Sequence, residues 1–462
     1  MGDNLRQFEA AGNCSRALPL EALDRAIPLD ALKTALQAEG AGEHRERQRT
    51  LVGTVCVVLA MNLYTPLSLS PVMRQSAQGL RFVWPKPTSA RPTASALTSR
   101  RSQLGVRPLA ALCHQGCRPL ATPDPPGAFL FGRRLLAIDS TGDDLPETPA
   151  HVAVLGRSPR ARGPRAFPQV RAVSLAEGGT HAIMDAGFWP GHTRERGGGF
   201  RGRRSVTPEM LGMWDRGFHA YERVAGVLQR GGQGLSRLPA HVKPKRVATL
   251  PAGSPLAYLY PSDPARRKRG DHLVVRVVAY PRTAPALPSY GAPHRIIPTR
   301  LAPPVAPALE LVCADHERWA LDLLLEETDP PQRLAGRPLR SRNPLGVLPE
   351  LCALVIAQYA RRVLRHEAAV QSGLAPDRRS FVHALRGVQE ASPEFPMIAP
   401  DHGPPLYRRL FHDLADGPLP QRRHRSNPRV VTRKRSKFHL RRSEHYGWPR
   451  PTRPFCEAVA FI

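Results

Sequence analysis

From Pro19 the chain reads PLEALDRAIPLDALKTALQAEG, with Leu and Ala recurring at three- and four-residue spacing. That period gathers them on one face, so the segment predicts amphipathic helices. Gly40 and Gly42 end the run. The next apolar stretch, LVGTVCVVLAMNL over 51–63, is unbroken rather than periodic. It falls short of the roughly 18–20 residues that span a bilayer, so it predicts a buried helix of a small N-terminal domain. The N-terminus itself has no apolar core of a signal peptide. A segment rich in Pro, Ser, Thr and Arg follows from Pro85 to Arg101 and predicts a linker or an exposed loop that tracks phosphates.

The pattern changes after residue 125. RLLAIDS over 134–140 is a short apolar run ending in an acid, and MLGMWD over 210–215 is another. VRAVSL from Val170 to Leu175 and the stretch Ala182–Asp185 have strand character. Residues 254–300 include LAYLYP and HLVVRVVAY and are β-rich. Long helices are expected over Leu309–Glu327 and Leu345–His366. Strands followed by helices, with acids closing the strands, predict an α/β domain whose site lies at the strand C-termini. From residue 421 the chain is basic and aperiodic, and reads as a phosphate-contacting tail. No internal repeat is present.

Charge narrows the partner. The 462 residues carry 67 Lys+Arg against 38 Asp+Glu, a formal net charge of +29. That balance implies a polyanion, and the excess of Arg favours phosphate because its planar fork donates two parallel hydrogen bonds. GC-rich codon usage would enrich Arg, Pro, Ala and Gly in the same way. The length allows two to four domains at roughly 100–200 residues each. Seven Cys at irregular spacing predict reduced, intracellular thiols rather than a disulfide scaffold. Cys113, His114 and Cys117 could ligate zinc, but one short cluster is better read as buried thiols on a helix. His181 and Asp185 lack the nucleophile elbow of a hydrolase. GGGFRGRR lacks the Gly-Lys-Ser/Thr ending of a phosphate-binding loop and reads as a flexible basic loop.

The candidate chemistry rests on acids. Asp139 precedes a small polar turn, Ser140-Thr141-Gly142, and Asp215 precedes Arg216-Gly217-Phe218. In DHERWALDLLLEE, Arg318, Asp322 and Glu326 recur every fourth residue and share one helix face. Three carboxylates converging in space would hold two divalent cations about 4 Å apart, suited to phosphodiester chemistry. On spacing alone, a solvated ion-pair stripe is the simpler reading.

Five stretches together carry a resemblance. LLAIDST with LPETPAH looks like a first-Asp motif, and RAFPQVRAVSLAEGGTHAIMDA is similar to the strand pair that follows it. MLGMWDRGFHAYE looks like a second-Asp motif, and DHERWALDLLLEE resembles a third, Tyr-x-x-Arg-x-x-x-Glu-x(6)-Lys. PLRSRNP and VVTRKRSKFHLRR complete the series. In this order, with a long gap between Asp215 and Asp322, they resemble the DDE-type transposases of bacterial insertion sequences, in the insertion-sequence-four family. The resemblance implies a ribonuclease-H-like α/β catalytic domain over 126–370 with a β-rich insertion at about 225–305. A small helical DNA-binding domain over 1–125 would precede it, and a basic segment over 371–462 would follow.

It further implies metal-dependent DNA strand cleavage and strand transfer at element ends. Asp139, Asp215 and Asp322 would hold Mg²⁺ or Mn²⁺, and Arg318 would position phosphate or the third acid. Arg216, Arg340, Arg342, Arg433, Lys434, Arg435 and Lys437 would contact DNA. The implied partners are double-stranded terminal inverted repeats and target DNA, engaged by a homodimer. The expected place is the bacterial cytoplasm, at the nucleoid and without membrane contact. Several positions depart from the family. The third Glu is Asp322, the motif Tyr is Asp315, and the motif Lys is Asp329 ahead of Pro330-Pro331. Gly197–Gly199 interrupt an expected helix. A decayed transposase that only binds DNA is the alternative these departures imply.

Overall fold

The computed structural model describes residues 27–40, 51–63, 72, 94–123, 127–160, 163–193, 204–251, 253–280, 293–318, 338–371, 373, 403–415, 430–432, 439–443, 446 and 455–459. The chain divides into two compact units, residues 1–205 with 321–419, and residues 206–320 with 420–462. Both mix helices and strands.

The first unit begins with helices α1 (Leu29–Ala38), α2 (Leu51–Leu63), α3 (Ala94–Leu104) and α4 (Arg107–Gly116). Leu32, Ala35 and Leu36 are the buried stripe of α1, and Gly40 closes its end at φ 68°. As its unbroken apolar sequence requires, α2 is buried on nearly every side. It packs on the long helix α9 (Pro344–Gln371), where Ala353, Ile356, Ala357 and Ala360 are fully buried. The small side chains there let the two helices approach closely. The expected loop over Pro85–Arg101 is corrected in its second half, because α3 starts at Ala94. Ala, Leu, Arg and Gln are good helix formers, and they outweigh the Ser and Thr residues. Residues 85–93 lie outside the described residues.

Strands β1 (Phe129–Leu130), β2 (Arg133–Asp144), β3 (Gln169–Glu177) and β4 (Ile183–Pro190) form an antiparallel meander. Helix α5 (Pro149–Leu155) follows β2 along the chain, and helices α4 and α9 pack against β4. Asp139 does not close β2, as its sequence suggested; it lies in the middle of the strand, opposite Ser174. The ladder continues through Asp144 opposite Gln169 because β3 supplies a partner along this whole length. A short polar cluster looks like a turn only while its partner strand is unknown.

Glu177 ties the unit together. It is fully buried and accepts hydrogen bonds from the amides of Leu120 and Ala121 at 3.1 and 2.9 Å. It also accepts from the Thr180 hydroxyl and pairs with Arg134, the latter 20% exposed. Removing a buried acceptor strands all of its donors. Glu177→Ala should therefore destabilise the fold by about 3 kcal/mol, read as a lower urea midpoint.

The second unit opens with β5 (Met210–Trp214), helix α6 (Tyr221–Leu228) and β6 (Gln233–Arg237). β5 and β6 pair in parallel, with Gly212 opposite Gly234. The glycine pair makes room for the fully buried Trp214 indole: a Cβ on Gly234 would lie 2.7 Å from its Cη2. Strands β7 (Lys245–Thr249), β8 (Pro255–Leu259) and β9 (Leu273–Arg276) form a separate antiparallel sheet. The short helix α7 (Pro264–Lys268) connects β8 to β9. Strand β10 (Val278–Tyr280) pairs with β11 (His294–Pro298), which pairs with β6, so the sheet of this unit is mixed. Helix α8 (Ala308–Glu317) packs on these strands. The described helix ends there, and the rest of the helix expected to Glu327 lies outside the described residues.

One sequence expectation about thiols fails. Cys313 on α8 is joined to Cys456 in a disulfide, with Cα atoms 5.5 Å apart. The two are 143 residues apart in sequence, so spacing could not pair them. Cys56, Cys113, Cys117 and Cys352 are free and buried. Among the described residues, no helix is long and apolar enough to cross a membrane.

Candidate functional site

Asp139 and Asp215 lie in different units. Asp139 is half-buried on β2, and its Oδ1 accepts the Ser140 amide at 2.7 Å. The Ser140 hydroxyl in turn accepts from Arg171 Nη1 of β3 at 3.2 Å. Asp215 is the first residue past β5, also half-buried. Its Oδ1 accepts the amides of Gly217 and Phe218 at 2.9 and 3.1 Å. This Asx turn fixes the carboxylate while it redirects the chain toward α6. Oδ2 carries no hydrogen bond among the described residues. Arg216 is exposed beside it.

The third motif divides. Arg318 is buried at the C-terminal end of α8. Asp322 and Glu326 lie outside the described residues, as do Arg433, Lys434, Arg435 and Lys437. Asp315, at the position of the family Tyr, is 2% exposed. Arg237 Nε donates to both of its oxygens at 3.0 and 2.8 Å, and the Tyr280 hydroxyl donates to Oδ2 at 2.5 Å. The carboxylate thereby anchors α8 to β6 and β10. Burial and then the Asp315 charge push the Tyr280 phenol far above its ordinary range, so it stays a donor. This anchor was missed in the sequence because Arg237 and Tyr280 are distant along the chain.

Beside it, His316 stacks on Phe455 with ring centroids 3.8 Å apart. Burial, and then the Arg237 charge, push its imidazole below the ordinary histidine value. A depressed folded value favours the neutral ring. Its contribution to stability is therefore complete above the unfolded value of about 6.5 and is lost as pH falls below that. The expected outcome is a melting temperature that drops between pH 7 and 5, with a shallower drop in His316→Phe, which keeps an aromatic ring against Phe455.

Arg340 and Arg342 are exposed in the loop before α9. Glu350 shapes that loop by accepting the amides of Arg340 and Ser341 at 2.7 and 2.9 Å, together with the Ser341 hydroxyl at 2.5 Å. Asp185 is equally committed: it is 2% exposed, Arg204 donates to it at 2.8 and 2.6 Å, and Ser205 donates at 2.7 Å. This ion pair between buried Asp185 and exposed Arg204, not a hydrolase site, explains Asp185. Its partner Arg204 ends the basic stretch read as a loop, where nothing in the spacing pointed to Asp185. The Cys117 thiol is raised well above its ordinary value, first by its hydrogen bond with Cys113 and then by burial, as inert buried thiols should be. Among the described residues, no group of three or more His, Cys, Asp or Glu is placed to hold a metal ion.

Comparison with known proteins gives three findings. Residues 17–114 match the family model described as the insertion element 4 transposase N-terminal region. A curated relative, transposase InsG for insertion sequence element IS4 of Escherichia coli (strain K12), is 24% identical over 324 residues. That match covers 69% of this chain and 71% of the relative. A piggyBac transposase, solved as a synaptic complex with hairpin DNA, aligns over 87% of this chain and 85% of its own. Its TM-score is 0.42 at 11% identity, so it carries no argument about fold. The family model and the curated relative bear out the resemblance carried by the motifs: the chain is related to the transposases of the insertion-sequence-four family.

Proposed function

We propose that the protein is a DNA transposase that cleaves and joins strands at the ends of an insertion sequence. Asp139, Asp215 and Asp322 serve as its carboxylate set, on a ribonuclease-H-like core. One contrast carries this reading. Glu177, Asp185, Asp315 and Glu350 are buried out of reach of solvent. Asp139 and Asp215 stand at motif positions and remain half exposed. Hard carboxylate oxygens suit Mg²⁺ or Mn²⁺, which need few protein ligands because water and substrate phosphate complete the shell. Asp139, Asp215 and Asp322 would hold such ions, and the Asx turn at Asp215 leaves Oδ2 for one. When bound, two such ions favour a nucleophilic water or 3′-hydroxyl and stabilise the leaving oxygen.

The chain's own residues do the rest. Arg318 is carried on a helix that the Asp315–Arg237–Tyr280 anchor holds rigid, as a positioning group requires. Exposed Arg216, Arg340 and Arg342 contact phosphates, joined by Arg433, Lys434, Arg435 and Lys437 of the tail. The domain plan is a helical DNA-binding domain over 1–125 and a catalytic domain over 126–370 with its insertion at about 225–305. The basic segment over 371–462 follows. A homodimer brings two inverted-repeat ends together. The test is incubation of the purified chain with a DNA fragment carrying the flanking ends of its own gene and Mg²⁺ or Mn²⁺. Nicks at the ends are expected, and intact DNA under both ions contradicts the reading.

A further inference from the structure

The small sheet of the second unit has two unlike faces. Ala257, Leu259 and Val275 are buried on one. On the other, Lys245, Tyr258 and Val274 lie directly across β7, β8 and β9. Lys245 and Val274 there are exposed and Tyr258 is half exposed. His272 lies 4.1 Å from the Tyr258 ring and Tyr260 lies 6.1 Å from it, centroid to centroid, so three aromatic rings cluster with Tyr258 at their centre.

Cations stand next to this cluster along the chain, and Lys245 lies directly opposite Tyr258. Lys243 and Lys245 are exposed at the start of β7, and Lys268 and Arg269 are exposed at the end of α7. None of these four meets a carboxylate among the described residues. The acids of this segment are already engaged: Asp263 caps α7 through the Ala265 amide at 2.9 Å, and Asp271 pairs with Arg266 at 2.8 Å. Lysines on an edge strand can simply block strand pairing between molecules. That explains Lys243 and Lys245, but neither the half-exposed aromatic cluster nor the α7 cations.

Aromatic rings set among unpaired cations suit single-stranded nucleic acid: bases stack on the rings while phosphates meet the charges. A duplex hides its base faces and would leave the rings unused. We propose that this face binds single-stranded DNA, with Tyr258 and Tyr260 stacking bases and Lys243, Lys245, Lys268 and Arg269 holding phosphates. The inference rests on the transposase reading, since strand cleavage is what exposes unpaired nucleotides.

The test is fluorescence anisotropy on the full chain with labelled oligothymidylate of about 15 nucleotides, near the upper site size of such surfaces. The same measurement is made with a duplex of equal length. Replacing both tyrosines, Tyr258→Ala with Tyr260→Ala, should weaken oligothymidylate binding at least tenfold and leave duplex binding within twofold. Tyr258→Phe with Tyr260→Phe should retain binding, which separates stacking from folding. Changing all four cations to Gln should lower the slope of log affinity against log salt by about 3, at roughly 0.7 per phosphate contact. Oligothymidylate binding equal to wild type in the double Ala variant overturns the proposal, as does an equal loss for duplex. The outcome is independent of the cleavage assay: a chain that nicks element ends but ignores the tyrosine changes sinks this face alone. A chain that holds the oligonucleotide through these side chains but nicks nothing sinks the transposase reading and leaves the face standing.

Discussion

Asp215→Asn should lower metal-dependent cleavage at the element ends by about 10³-fold, because losing one charged ligand removes several kcal/mol of transition-state stabilisation. The substitution is chosen to spare the fold. Asp215 Oδ1 accepts the amides of Gly217 and Phe218, and the carbonyl oxygen of Asn can accept both. The Asx turn and the path into α6 therefore survive, while the negative charge does not. Cleavage is read on end-labelled DNA, with melting temperature and duplex binding measured alongside. Loss of cleavage with both of those unchanged is the expected pattern. Cleavage within threefold of wild type would remove Asp215 from the metal set.

The second large effect has the opposite sign. Asp322→Glu restores the family's third acid and should raise cleavage by one to two powers of ten. The argument is geometric. Asp is one methylene shorter than Glu, so on an unchanged backbone its oxygens fall about 1 Å or more from the position the family uses, and misplacement on that scale costs about 10²-fold. An increase would mean that the remaining machinery is intact and that Asp322 limits the rate. If neither wild type nor Asp322→Glu cleaves while sequence-preferring DNA binding persists, the protein is a DNA-binding remnant.

Local pattern carried much of the architecture. The apolar run over 51–63 is the buried helix its composition demanded, and the described part of Pro19–Gly40, residues 27–40, ends on Gly40 as expected. Val170–Leu175 and Met210–Trp214 are strands because their β-branched and large apolar residues are buried in sheets. Long-range partners were the part that local pattern could not supply. Whether β2 stops at Asp139 depends on β3, which keeps pairing to Gln169. The Asp315–Arg237–Tyr280 anchor, the Asp185–Arg204 pair and the Cys313–Cys456 link join residues that no periodicity connects. The same reasoning explains the site. The motif acids could be named from short stretches, but which carboxylates are already consumed by ion pairs is decided only by tertiary neighbours.

The central claim is that Asp139, Asp215 and Asp322 share one metal site although they are far apart in sequence. Iron-mediated hydroxyl-radical cleavage of the polypeptide tests it most directly. Fe²⁺ replaces Mg²⁺ on the full chain bound to duplex DNA, ascorbate and peroxide are added, and the cut positions are mapped by mass spectrometry. The account predicts cuts clustered near all three acids, suppressed together by excess Mg²⁺ and by Asp139→Ala. Cuts near one acid only, or three sets of cuts of which Asp139→Ala removes just its own, would contradict it.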